Sequence, residues 1–225
     1  MVKSIKGEKA DLAPKEYIEK LFDGEAENFE HHLVDQLHYC LPKKIGLLAV
    51  NLLQHLPVAE GKVALDLGCG TGLIGQALKP WVAEIHGVDL SKKMLDQAKK
   101  KEIYSQLVQG DILEFLEENH LNKNYHLITA VDVFVYLGVL EKLFSAVACR
   151  LAQAMKSVFL FSVELLEDDQ VDYQLLPTGR YAHSLGYLKK LSAEHGFTVS
   201  HVEPTSIREE RGQPVPGVIM VLNLS

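Results

Sequence analysis

The segment ALDLGCGTGLIG, residues 64–75, places an acid and four glycines directly after an apolar run. Within it, Gly70-Thr71-Gly72-Leu73-Ile74-Gly75 spells G-x-G-x-x-G, the string that follows a strand and opens a helix in dinucleotide-binding folds. Asp66, two residues before Gly68, does not belong to that string. A helix N-terminus attracts anions, so a carboxylate beside it works against a pyrophosphate. The ligand of this loop is therefore decided by Asp66 and by the residues downstream of the glycines.

Outward from the loop, short apolar runs alternate with helical patterns. Strands are expected over 62–67, 84–88, 106–109, 126–131 and 157–163. Helical spacing covers 73–78, the stretch from Ser91 to Lys101, the stretch after Asp111 to Glu118, 139–151 and 184–195. Ser91 is placed to N-cap its helix, with Met94, Leu95 and Ala98 on the buried face. Gly196 is placed to close the helix before it. This alternation predicts an α/β fold, a parallel sheet with helices on both faces. The tail differs: 197–202 and 218–224 read as two strands joined by a long turn rich in Glu, Arg, Gly and Pro, an antiparallel hairpin at one edge.

Before the first strand the pattern is helical. Pro14 suits a first helical turn, and Tyr17, Ile18, Leu21 and Phe22 follow at helical spacing until Asp23-Gly24 punctuates. A second pattern runs through Phe29, Leu33, Leu37 and Tyr39 to Pro42, and a third from Ile45 to Leu53, ending near Pro57. Residues 1–57 are expected to form a helical cap or lid over the sheet rim, and 58–225 the α/β domain. Phe22, Phe29, His32 and Tyr39 are candidates to line a pocket beneath it; core packing is the competing reading for most, and Phe29 and Tyr39 are the strongest candidates for cofactor contact.

Composition narrows the class. The 225 residues are 47% apolar and 24% charged, ordinary for a soluble globular chain. A net charge of -7 offers no electrostatic footprint for duplex nucleic acid or an anionic membrane. The three cysteines, Cys40, Cys69 and Cys149, form no CxxC pair and read as reduced thiols. With no apolar signal core and no run of transmembrane length, a cytoplasmic location is expected. The histidines are scattered without ligand spacing, and no metal is expected.

In open α/β sheets ligands bind beyond the carboxyl ends of the strands. Asp66, Asp89, Asp111, Asp132 and Glu164 each fall at or near the end of a successive expected strand. Any one alone reads as a cap or loop residue; five in register with a glycine loop favour a site. A row of acids suits a phosphate-free cofactor with a cationic end, as in S-adenosyl-L-methionine. Asp89, with Leu90 beside it, is placed to accept both ribose hydroxyls, a contact that dinucleotide enzymes share. Gly110-Asp111-Ile112 can read an adenine, with Met94 or Ile112 against its faces.

These motifs carry a resemblance. LDLGCGTG, GVDLS, QGDI and ITAVDVFVYL occur in the order and spacing of the class I S-adenosylmethionine-dependent methyltransferases, over about residues 62–165. A narrower likeness spans nearly the whole chain. LFDGEAENFEHHLVDQLHYCLP, DVFVYLGVLEKLF, FLFSVE, GRYAHSLGYLKKLSAEHGF and RGQPVPGVIMVL are similar to a group of predicted methyltransferases often labelled as tetratricopeptide-repeat proteins, although this chain has no such repeats. The resemblance implies a Rossmann-like, seven-stranded, mostly parallel sheet whose last strand is antiparallel. It implies Asp66, Gly68, Gly70 and Gly72 around the methionyl group, Asp89 at the ribose, and Asp111 and Ile112 at the adenine. Asp132 would lie where the cofactor's methyl end meets the substrate. Cys69 sits at a variable position of the loop and reads as a small buried filler beside the cofactor, not a nucleophile.

The reaction expected is an in-line methyl transfer, with S-adenosyl-L-homocysteine as product. It needs alignment of the acceptor, exclusion of water and, for a hydroxyl, thiol or ammonium, a proton acceptor. Asp132, Glu164 and His183 are the candidates; a polar turn residue is the stronger reading of His183. Tyr136, Arg180, Tyr181, Arg208 and Arg211 surround the same rim in the family arrangement. Two or more arginines there would suit an anionic substrate, because guanidinium pairs with carboxylate or phosphate in bidentate fashion. REERGQ is also charged enough to be a solvated hairpin turn. Strand four lacks the [D/N/S]-P-P-[Y/F] sequence used on exocyclic base amines, which favours a small metabolite over nucleic acid. The alternatives are a nicotinamide-dependent oxidoreductase using Gly70 to Gly75 and a non-catalytic binding protein of the same fold. The oligomeric state is left open.

Overall fold

A computed structural model describes residues 14–26, 29–30, 39–54, 61–118, 121–151, 157–210 and 212–224. Its parallel strands are β1 (Val63–Leu67), β2 (Glu84–Asp89), β3 (Gln106–Gln109), β4 (Leu127–Ala130) and β5 (Val158–Leu165). They lie in the order β3-β2-β1-β4-β5. Burial follows position. VALDL, LITA and VFLFSVEL are central and almost wholly buried, so they read as continuous apolar runs; QLVQ of β3 is at the edge and half exposed.

Helices α1 (Lys15–Glu25), α2 (Leu41–Gln54), α3 (Leu73–Leu78), α4 (Lys92–Lys100), α5 (Ile112–Glu118), α6 (Glu141–Arg150) and α7 (Leu185–Glu194) surround the sheet. The pleat sorts the strand residues. Leu65 and Leu67 face a core with Phe115 of α5, Phe144 of α6 and Leu188 of α7. Ala64 faces the opposite core with Ile45 of α2 and Leu78 of α3. Caps fall where expected: Ser91 Oγ accepts the Met94 amide at 3.1 Å, and Gly196 ends α7 at φ +76°. Among the described residues no helix is long and apolar enough to cross a membrane.

Four expectations change. First, α1 runs through Asp23-Gly24 to Glu25. Asp23 Oδ1 accepts from Ser91 Oγ at 2.6 Å and from the Lys93 amide at 3.3 Å, a tertiary anchor that overrides the local turn signal. Second, Pro42 opens α2 instead of ending the helix before it, since the first helical turn needs no amide there; Leu33, Leu37 and Pro57 lie outside the described residues. Third, two short strands not foreseen, β6 (Tyr173–Leu175) and β7 (Tyr181–His183), pair with each other, and β7 pairs with the carboxyl end of β5. Fourth, the long turn is strand: β8 (Phe197–Glu210) and β9 (Gln213–Leu224) pair as far as Glu210↔Gln213, with register shifts at Val199/His201 and Ser206/Glu209.

Strand β9 runs antiparallel between β5 and β8, which is the antiparallel last strand expected. Its Gly217 lies opposite Glu164 on β5 and Thr205 on β8. A Cβ there would stand 2.3 Å from Ile207 Cγ1 and 2.6 Å from the Val163 carbonyl oxygen. Gly217→Ala is therefore expected to cost about 1–3 kcal/mol through overpacking. The measurement is urea unfolding, with a lower midpoint at an unchanged slope; an unmoved midpoint would contradict this packing.

Candidate active site

The cleft lies beyond the carboxyl ends of β1, β2 and β4, where the order β2-β1-β4 makes the topological switch. It encloses about 1240 Å³, part of it open to solvent. The glycine loop forms one wall. The Gly70 amide donates to Asp89 Oδ2 at 2.8 Å, and the Ser91 amide donates to Asp89 Oδ1 at 2.9 Å. One carboxylate thus ties the loop after β1 to the turn after β2. Burial raises the Asp89 pKa, an effect the Ser91 and Gly70 amides oppose. Gly68, at φ +65°, turns the chain where a Cβ would stand 2.5 Å from Val133 Cγ2.

Asp66 lies behind this wall, buried. Its carboxylate accepts from Tyr104 Oη at 2.7 Å and from Thr129 Oγ1 at 2.9 Å. Burial holds its pKa up at about 6, with the Tyr104 and Thr129 hydroxyls pulling the other way. The Tyr104 ring reaches Asp66 across Gly75: a Cβ on Gly75 would stand 2.3 Å from the Tyr104 oxygen. The third glycine of the G-x-G-x-x-G string thus makes room for a tyrosine.

The opposite wall carries charge and aromatic rings. Arg208, only 2% exposed, bonds Asp132 Oδ1 at 3.2 Å and Glu210 Oε1 at 2.8 Å, and pairs closely with Glu164. Burial works against its charge, but Asp132 and Glu164 outweigh it and hold the pKa above the ordinary value. Arg180 pairs with Glu210 as well. Asp132 has φ +60°, uncommon for a residue with a side chain, and its amide donates to Ser162 Oγ at 2.9 Å. Phe22 packs edge-on to Tyr136 at 5.6 Å and to Phe29 at 5.9 Å. Burial, with Asp132 nearby, pushes the Tyr136 hydroxyl up to about 12.

One atom speaks directly for a ligand. Thr71 is 2% exposed, lines the cleft from the glycine loop, and its Oγ1 has no hydrogen-bond partner. Buried polar atoms are almost always satisfied, so this hydroxyl fits a polar ligand held against the loop.

Comparison with known proteins gives this cleft a context. Residues 64–154 match the family model described as "Methyltransferase domain". The stretch from β1 through α6 is thus similar to a methyltransferase domain. It is 39% identical over 87 residues to a malonyl-[acyl-carrier protein] O-methyltransferase of Legionella pneumophila, covering 38% of this chain and 28% of that protein. It is 35% identical over 71 residues to a trans-aconitate 2-methyltransferase of Pseudomonas paraeruginosa, covering 31% and 26%. The matched stretch spans about a quarter of the length of such relatives. Among solved structures, the magnesium protoporphyrin IX methyltransferase of Synechocystis PCC 6803 with bound SAM superposes with a TM-score of 0.69 at 18% identity, over 96% of this chain and 100% of that one. That likeness carries the fold.

Most expected site residues meet in one place. The cleft is lined by Gly68, Cys69, Gly70, Asp89, Leu90, Met94, Asp111, Ile112 and Asp132, by Phe29 and Tyr39, and by Tyr136, Arg180 and Arg208. Asp111 does double duty: Oδ1 accepts the Leu113 and Glu114 amides at the start of α5, and Oδ2 lies 3.3 Å from Lys15 Nζ. Cys69 is buried, which raises its thiol pKa well above the ordinary value and suits a filler. Gly72, Gly110 and Asp66 do not line the cleft. Arg211 and His32 lie outside the described residues.

Three expected roles do not survive the geometry. His183 is fully buried, with Nε2 3.1 Å from the Gly138 carbonyl oxygen, and burial lowers its pKa to about 4; it packs within β7 and does not line the cleft. Glu164 is buried against Arg208 and lies off the cleft, so it balances charge instead of taking a proton from substrate. Tyr181 is buried beside Tyr173, also off the cleft. The arginines are changed as well: Arg208 and Arg180 are engaged by carboxylates, so neither presents a free fork to an anion.

Lys15, Ile18, Thr71 and Leu137 line the cleft without having been foreseen, and Tyr104 supports it from behind. Thr71 sits inside the quoted string, where its type was readable; Lys15 and Tyr104 become neighbours only through the fold.

Asp66 makes a pH prediction. Its pKa is about 6 in the folded chain against an ordinary 3.8, so the folded state binds the proton more tightly. The associated stability is present below about pH 4 and lost as pH rises through 6, by about 3 kcal/mol at most. Asp66→Asn keeps an oxygen for Tyr104 and is expected to flatten that part of the profile in urea unfolding between pH 4 and 7. An equal slope in both proteins would remove Asp66 from this role.

Proposed function

We propose that the protein is an S-adenosyl-L-methionine-dependent methyltransferase acting on a small-molecule acceptor. The observation that carries this is the glycine loop, tied to Asp89 and presenting the unpartnered Thr71 hydroxyl, at the switch point of a methyltransferase domain. When bound, the cofactor supplies a sulfonium methyl group open to in-line attack. Gly68, Gly70 and Thr71 hold its methionyl end, with Cys69 filling the wall and Gly72 turning the loop behind them. Asp89 holds the ribose, with Leu90 beside it. Asp111, Ile112 and Met94 frame the adenine.

Phe29 and Tyr39 help close the cleft from the segment before the domain, and the described part of residues 1–57 serves as a cap over the α/β domain. Closure of this kind excludes water, which otherwise competes with the acceptor. Asp132 stands at the acceptor end and orients the nucleophile; Tyr136 and Arg180 shape the space beside it. The net charge of -7 and the absence of the base-amine motif after β4 favour a small molecule over nucleic acid.

Calorimetric titration tests this. S-adenosylmethionine and S-adenosylhomocysteine are expected to bind and NAD is not. Asp89→Ala is expected to weaken both adenosyl compounds roughly a hundredfold, the size of losing charged hydrogen bonds to two hydroxyls. Asp89→Asn, which keeps an oxygen for the Gly70 amide, separates ribose binding from loss of the loop. NAD binding without adenosyl binding would point to the oxidoreductase reading instead.

A further inference from the structure

We infer that the methyl acceptor is an amine, bound as its ammonium form between Asp132 and the ring of Tyr136; this rests on the methyltransferase reading above. Two guanidiniums, Arg180 and Arg208, meet three carboxylates, Asp132, Glu164 and Glu210, at this end of the cleft. The group therefore carries one net negative charge. Of the three carboxylates, Asp132 is the one that lines the cleft, and its side chain is one-fifth exposed. An anionic acceptor would meet this excess with both arginines already engaged. A cation would be attracted by it.

The rings point the same way. Tyr136 and Phe22 stand edge to face at 5.6 Å, and both line the cleft that Asp132 lines. An aromatic face beside a carboxylate is the usual chemistry of ammonium recognition. Tyr39 lines the same cleft and adds a third ring.

The reaction itself selects for an amine here. The ammonium first gives up one proton, to Asp132 or through it to solvent. The nitrogen lone pair then forms the N–C bond to the methyl carbon as the C–S bond breaks, and that electron pair stays on sulfur. The products are a methylated ammonium and a neutral thioether, so positive charge moves from sulfur to nitrogen. A fixed negative excess at the nitrogen end stabilises that developing charge. With an anionic nucleophile, charge would be annihilated there and the excess would repel the reactant.

The test uses the full chain loaded with S-adenosylhomocysteine and two probes of equal shape, benzylamine (protonated at neutral pH) and benzoate. Binding is read by calorimetry and by ligand-observed NMR. Benzylammonium is expected to bind at least about tenfold more tightly than benzoate, the scale of one ring contact and one partly exposed charge contact. Asp132→Asn is expected to remove that preference while S-adenosylhomocysteine binding stays within about threefold. Asparagine tolerates the positive φ of this position, and Arg208 keeps Glu164 and Glu210. Should that variant fail to fold, Tyr136→Leu is expected to weaken benzylammonium severalfold and leave benzoate unchanged. Benzoate binding equally or more tightly, no binding of either probe, or a preference that survives the folded variants would overturn the inference alone. No binding of S-adenosylhomocysteine would overturn the methyltransferase reading, and the inference with it.

Discussion

The acceptor end of the cleft depends on one buried cation. Arg208 comes from β8, Glu164 from β5, and Asp132 from the turn after β4, so a single guanidinium joins three segments that are distant in sequence. Removing one partner of such a group leaves a charge buried without compensation, which is far more costly than any exposed pair is worth. The interaction therefore constrains geometry more than it adds stability. It fixes the length of β8, because the strand must continue past Ser206 to deliver Arg208. Asp132 meets it from a backbone conformation that a residue with a side chain seldom adopts, its amide bonded to Ser162 Oγ.

The parallel half of the sheet was legible because its strands are buried on both faces, and continuous apolar runs between glycine and acid signals are hard to mistake. The tail was harder to read. Residues 203–217 are rich in charge and proline, and local propensity describes a turn. Residues 203–210 and 213–217 pair as strands because Ile207 and Arg208 find buried partners across the hairpin and the sheet. β6 and β7 are only three residues each, too short for any period to register. Asp23-Gly24 carried a turn signal that lost to one hydrogen-bonded contact with the start of α4.

The cofactor side of the cleft was more readable than the acceptor side, for a physical reason. Loop glycines and strand-end acids are local features, set within a few residues of an element already identified. Charge balance is not local. Arg180 and Arg208 looked like free guanidiniums in the sequence, and only the fold brings Glu164, Glu210 and Asp132 against them. His183 misled in the same way: its residue type suits a base, but its surroundings on β7 make it part of the packing. Lys15, almost a hundred residues from Asp111 and Glu114, had no signal in the sequence at all.

The relation between Gly75 and Tyr104 bears on how such chains diverge. The ring of Tyr104 occupies the volume that a side chain at position 75 would need, and its hydroxyl satisfies Asp66 behind the loop. A change at either position alone is opposed by the other. A smaller residue at 104 would open the space for alanine at 75, but would leave the acid at 66 short of a donor and favour its replacement. Positions 66, 75 and 104 thus form one heritable unit. Lineages are expected to move through them together, and the third glycine of the string records the company of a tyrosine more than the presence of a phosphate.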